Sequence, residues 1–157
     1  MVAKGKNKNV IYDDSILQMK IKKALALAPS QQKELLENIG ITGMKDMEDH
    51  FKRETGRSGK WKKSQRAIRE GGQTLSDKGN LRELNFQVGR KSVLIGTDTP
   101  YGAIHNFGGP TGRNHATDMP KREWAYISKQ GKKDLDLTVK NFYNKYLGQK
   151  VGFKKIK

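Results

Sequence analysis

The sequence predicts an α+β fold: a small, mainly antiparallel sheet packed by two N-terminal helices and a long C-terminal helix. Three observations predict it. Apolar residues recur at helical spacing across 16–27, 35–51 and 135–146. Leu84, Phe86 and Val88 alternate with polar residues, then a Gly89-Arg90-Lys91 turn leads into the run Ser92–Gly96, which is a hairpin pattern. Glycine and proline punctuate the stretches between these blocks.

Taken in order, Asp13 or Asp14 caps a first helix, whose apolar face is Ile16, Leu17, Met19, Ile21, Ala24, Leu25 and Leu27, and Pro29 ends it. Ser30 caps a second helix carrying Leu35, Leu36, Ile39, Met44, Met47 and Phe51. Gly40 and Gly43 each weaken that helix by about 1 kcal/mol relative to alanine, so they mark a kink or a close packing contact. Residues 52–72 read as an extended basic loop with a short helix near 63–70. Met119–Ser128 reads as a further strand, with Trp124, Tyr126 and Ser128 on one face. The last helix spans about 130–147. Its stripe is Leu135, Val139, Phe142, Tyr143 and Tyr146, and Leu147-Gly148 is its stop signal. The expected organisation is a flexible basic arm (1–9), one domain (10–148) and a basic tail (149–157), with no internal repeat.

Composition narrows the function. The 157 residues carry 32 basic and 16 acidic side chains, a formal net charge of +16. That imbalance favours acidic partners such as nucleic acid, an anionic membrane or an acidic protein surface. With no cysteine there is neither a disulfide nor a thiolate metal site. No apolar run approaches the roughly 18 residues of a membrane span, and Met1–Val10 lacks the apolar stretch of a secretory signal. A cytoplasmic origin is the expected default.

Catalytic chemistry is sparse. His50, His105 and His115 have no metal-ligand spacing. No nucleophile elbow and no phosphate-binding glycine loop occurs. The pairs Asp13/Asp14, Glu48/Asp49 and Asp134/Asp136 fit solvated helix positions or caps. We therefore expect no catalytic, cofactor-binding or metal-binding residues, and a protein that is not an enzyme.

Two segments attract attention instead. Lys52, Arg53, Arg57, Lys60, Lys62 and Lys63 surround Trp61. Three readings stay open for them: phosphate neutralisation with aromatic stacking, docking on an acidic protein, or a soluble surface. The second segment is Pro100–Gly109, in which Tyr101, Ile104, Phe107, Gly108 and Gly109 are expected to set a rigid loop beside the sheet. The Gly108-Gly109 pair suits a turn with positive φ, and the three large apolar residues serve either core or contact.

On these residues the chain resembles the phage virion morphogenesis family, which includes tail completion proteins of Mu-like and P2-like phages. Phe51-Lys52-Arg53-Glu54 with Gly59-Lys60-Trp61-Lys62 resembles the family's Phe, charged stretch and Gly-x-Trp pattern. Leu75-Ser76-Asp77-Lys78-Gly79-Asn80-Leu81-Arg82 resembles its lead-in to the sheet. Ile95-Gly96-Thr97 with Pro100–Gly109 resembles its Pro-Tyr-Ala-x-Ile-His-Gln-Phe-Gly-Gly hallmark, with Gly102 and Asn106 as departures. Met119–Trp124 resembles its Pro-Ala-Arg-x-Phe segment, with Lys121 departing.

The resemblance implies a structural virion protein that completes the head-proximal end of a tail so that head and tail join. The implied assembly is a homo-oligomeric ring, of six subunits by analogy with related neck proteins. Its neighbours would be other tail and neck proteins (terminator, tube or connector), with no membrane partner. The alternative, read from the +16 charge and the basic loop around Trp61 rather than from the resemblance, is a non-specific DNA-binding protein. The expected partner-facing residues are Lys52, Arg53, Arg57, Lys60, Trp61, Lys62, Lys63, Tyr101, His105, Asn106, Phe107, Gly108, Gly109, Arg113, Arg122 and Trp124. For Arg122 and Trp124 an ordinary strand role stays equally open.

Overall fold

The computed structural model describes residues 28–76 and 79–147. The expected basic arm, the first helix and the C-terminal tail lie outside the described residues.

The long helix α1 (Pro29–Arg53) opens with proline in its first turn. Proline there loses no intrahelical bond, and its fixed φ suits the helix. Pro29, expected to end a preceding helix, therefore starts this one. Ser30 lies inside the first turn rather than at the cap, and Gln31 Oε1 accepts the Ala28 N–H at 3.1 Å. Leu35, Leu36, Ile39, Met47 and Phe51 form the buried stripe, as the spacing anticipated, with Met44 half-buried. The helix ends at Glu54, a left-handed residue (φ 51°) whose N–H bonds back to the last turn.

A tight hairpin follows, β1 (Thr55–Gly56) with β2 (Gly59–Lys60). Helix α2 (Gln65–Glu70) is capped by Ser64 Oγ, which accepts the Ala67 N–H at 3.1 Å. Strands β3 (Asn85–Val88) and β4 (Val93–Gly96) pair antiparallel, Phe86 opposite Ile95, as the alternation required. Next come helix α3 (Gly102–Phe107) and a third hairpin, β5 (Gly109–Thr111) with β6 (Thr117–Met119). Helix α4 (Lys129–Leu147) completes the described chain. The fold class is the expected α+β, its antiparallel pairing distributed over three separate hairpins.

Helix α1 is the spine. It packs against α4, β3 and β4. Its pairing with α4 is closed by polar links at three levels. Glu34 takes Lys145 at 2.8 Å and also the Tyr146 hydroxyl. Thr42 meets Thr138 at 2.9 Å. Asp46 takes both the backbone N–H (2.7 Å) and the hydroxyl (2.5 Å) of Ser128, and Ser128 Oγ in turn caps the Gly131 N–H. One carboxylate on α1 thus sets the position of the first turn of α4. Gly131 has no room for a side chain, because a Cβ there would strike the Asp46 carboxylate.

The core joins Leu35, Ile39, Met47, Phe51, Leu135, Val139, Phe142 and Tyr143 to Trp61 and Trp124. Phe51 is its pivot, edge-on to Trp61 (ring centres 5.7 Å) and tilted against Trp124 (5.6 Å).

Two sequence expectations change here. Residues 120–128 do not form a strand. Four consecutive residues, Trp124–Ile127, are buried, which strand alternation cannot produce. The short helix expected near 63–70 is present as α2, but the stretch before it is a hairpin rather than an extended loop, with Trp61 as its anchor in the core.

Gly40 and Gly43 resolve as close packing, since α1 runs unbroken through both. A Cβ at Gly40 would enter the Phe86 ring, while one at Gly43 would crowd the Ile95 Cδ1 tip at 2.6 Å and touch Ile127 Cδ1 at an ordinary 3.5 Å. An aromatic ring yields less readily than the end of an aliphatic chain. Gly40→Ala should lower stability by about 1–2 kcal/mol, overpacking exceeding the gain in helix propensity. Gly43→Ala should stay within about 0.5 kcal/mol of the parent, relief of Ile95 and added propensity nearly cancelling. Urea unfolding of both variants checks the contrast.

Candidate assembly interface

The hallmark stretch builds a short helix on a crowded platform. The Gly102 N–H bonds to the Thr99 carbonyl at 3.0 Å, and a Cβ at Gly102 would sit 2.8 Å from Thr97 Cγ2. Gly108 ends α3 at φ 70°, its N–H reaching Ile104 O at 2.8 Å. A side chain at Gly108 would lie 2.8 Å from both Lys121 N and Met119 O. Those are backbone atoms that cannot move aside, so glycine is required on conformational and steric grounds together. Gly109, at φ 116°, continues into β5. The expected positive-φ turn is present, and the expected rigid loop is a helical turn.

Beside α3 lies the strap 120–128, which has no regular structure and is buried at Arg122 and Trp124–Ile127. Its backbone groups are met one by one. Arg122 N–H donates to His105 O at 2.8 Å. Glu123 O accepts Trp61 Nε1–H at 3.3 Å. The Trp124 and Ala125 N–H groups both donate to Asn106 Oδ1, at 3.0 and 2.9 Å. Trp124 O accepts from His50 Nδ1 at 2.8 Å, which fixes the proton on that nitrogen. Trp124 Nε1–H returns to Gly102 O at 3.3 Å. His50 also stacks on Tyr126, ring centres 4.0 Å apart.

The expected contact residues divide accordingly. Trp61 is only 8% exposed, and Asn106, Arg122 and Trp124 are buried as well. Trp61, Asn106 and Trp124 are spent on holding the strap rather than left open for contact, whereas Arg122 is recessed with its Nε on the Lys62 carbonyl at 2.9 Å. In particular Trp61, donating to Glu123 O and packed on Phe51, presents no face for a base to stack on. His105, Gly108 and Gly109 are half-buried.

Lys52, Arg53, Arg57, Lys60, Lys62, Lys63 and Arg113 are exposed, and so are two aromatics of the hallmark, Tyr101 (40%) and Phe107 (51%). Several cations already have partners. Lys52 and Arg53 share Asp49 at 3.2 and 3.6 Å. Arg57 lies 3.7 Å from Glu123 and over the Tyr126 ring. Lys60 caps Arg53 O at 3.0 Å.

Sequence reasoning missed Asp46, Ser128 and Gly131 as organising residues. Their signal was a serine three positions before a glycine at the start of a helix.

His105 is not set up for catalysis by a carboxylate partner. Burial, and then the nearby Arg122 cation, push its pKa below the ordinary histidine value. Its Nδ1 is buried without a hydrogen-bond partner. A groove of about 750 Å³ runs beside α1 and α4 past Thr42, Asp46, Asp49, His50 and Asp134. Three of its carboxylates are engaged: Asp46 by Ser128, Asp49 by Lys52 and Arg53, Asp134 by Gln130. Among the described residues no group of three or more potential ligands could hold a metal ion, and no helix is long and apolar enough to cross a membrane.

Residues 13–142 match the phage virion morphogenesis family. The chain belongs to that family. It is also similar to the Mu-like prophage FluMu G protein 2 of Haemophilus influenzae, with 26% identity over 119 residues, 76% of this chain and 83% of the relative. No solved structure matches it. Membership in the virion morphogenesis family gives the chain a structural role in building a phage virion. The family resemblance read from the hallmark and its flanking segments is thereby shown.

Two measurements probe this virion morphogenesis platform. Asn106→Ala removes one acceptor and strands two buried N–H groups. It should lower stability by about 2–6 kcal/mol in urea unfolding, at about 1–3 kcal/mol for each unsatisfied group. For His105 the folded-state pKa lies below the unfolded one, so the folded state binds fewer protons and stability falls as pH drops below the unfolded value of about 6.5. His105→Gln should flatten the loss of stability between pH 7.5 and 5.0, measured by urea midpoints at both pH values.

Proposed function

We propose that this protein completes the head-proximal end of a phage tail and thereby enables head–tail joining, acting as a subunit of a closed ring rather than as a catalyst. One observation carries the reading. The hallmark spends Gly102, Asn106 and Gly108 on fixing a platform, and from that platform it leaves Tyr101 and Phe107 open to solvent. Large exposed aromatics on a rigid support are the usual anchors of protein contacts. In a ring, each subunit meets its two neighbours through different patches, and the contact closes by rotation. The net charge of +16 keeps free subunits apart until acidic neighbours neutralise it. A hexamer is the expected ring, and terminator, tube or connector proteins are the expected neighbours. The site of action is then the tail–head junction, after synthesis in the host cytoplasm.

Deleting the gene should give a lysate of filled heads and separate tails that fail to unite. Electron microscopy reads the outcome, and intact, joined virions in that lysate would refute the proposal.

A further inference from the structure

Arg122 is a charged side chain in an unbalanced setting. It is 4% exposed, yet no carboxylate pairs with it among the described residues. Its Nε donates to Lys62 O at 2.9 Å, and its Nη1 has only the Met119 thioether at 3.5 Å. A thioether is a weak acceptor, so much of the donor capacity of the guanidinium is unused. Burial lowers the pKa of Arg122, with no counter-charge to oppose that. Such a cation costs several kcal/mol to desolvate unless an anion arrives. The neighbouring His105 adds a buried atom without a hydrogen-bond partner, Nδ1.

The surroundings are cationic as well. Lys62 and Lys63 are exposed, the charge of Lys63 also acting on Glu54, and Lys121 lies 3.6 Å from Glu123, which Arg57 approaches at 3.7 Å. Phe107, half exposed, adjoins this region, because Gly108 packs against the backbone of Lys121.

From this geometry we propose that Arg122 is the floor of a binding site for a carboxylate side chain of a neighbouring protein in the assembly, with Lys62, Lys63 and Lys121 as its rim and Phe107 as its apolar flank. The inference rests on the assembly role proposed above and names the chemistry of the partner. An acidic protein segment fits better than nucleic acid. A protruding Asp or Glu reaches a recessed guanidinium, whereas duplex phosphates lie on a convex surface and engage only the rim. The mixed cationic and apolar border suits a protein interface, and the aromatic of the basic segment is buried away from any base.

The test uses the purified full chain, a fluorescent hexaglutamate peptide and a 20-base-pair DNA duplex, read by anisotropy at fixed ionic strength. Arg122→Met should weaken peptide binding at least tenfold, the loss of a charge-assisted bidentate contact, while duplex binding changes less than twofold. Peptide binding within twofold of the parent, or a loss of duplex binding as large as that of peptide, overturns the site. Because Arg122→Met also removes the bond to Lys62, a measurement on the unsubstituted chain decides the matter if the variant fails to fold. The Arg122 Nε–Hε resonance should shift saturably with sodium acetate and not with sodium chloride at equal ionic strength, and no difference between the two salts rejects the proposal. A silent acetate titration beside unjoined heads and tails removes the Arg122 site and leaves tail completion standing. Joined virions reject tail completion whatever the peptide does.

Discussion

The fold turns on one constraint: a buried stretch of irregular backbone must still satisfy its own polar groups. Residues 122–128 run through the interior with neither helix nor sheet to pair them. Each orphaned N–H or C=O there would cost about 1–3 kcal/mol, and a few such losses equal the roughly 5–15 kcal/mol that hold a typical domain together. The chain solves this with side chains from elsewhere: Asn106 from α3, His50 and Asp46 from α1, and Trp61 from the segment after β2. Sheet pairing would have needed a partner strand. Here single side chains replace it, and the strap is free to follow the contour of the core.

This explains how the hallmark segment combines small, polar and aromatic residues. Gly102 and Gly108 let α3 approach the strap, and Asn106 closes the approach with two hydrogen bonds. What remains of the segment, Tyr101 and Phe107, is presented outward from a support that cannot yield easily. A fixed shape and two exposed aromatics are written into the same ten residues, which accords with a virion part better than with a pocket that turns over substrate.

Much of the framework was legible in the sequence because periodicity reports burial directly. The stripes of α1 and α4 and the β3–β4 hairpin follow from spacing alone. Residues 120–128 were misjudged for a physical reason. Alternation of large residues mimics a strand, and nothing local reveals that Asn106 and His50 will supply the partners. Trp61 misled in the same way. Among lysines it reads as a surface aromatic, yet its indole is the hydrophobic anchor that folds the basic segment onto Phe51. Pro29 could be read as an end or a beginning, and only the helix that follows decides. Exposed cations, by contrast, were correctly assigned to the surface, where hydration makes the choice.

The anchors of the strap come from positions as far apart as 46 and 106. Contacts of such separation form late, because the intervening chain must be ordered first. Arrival of the strap is thus a completion signal for the polypeptide itself. Until those clasps close, Phe107 has no settled backbone beneath it, so its outward setting is a property of the fully folded chain alone.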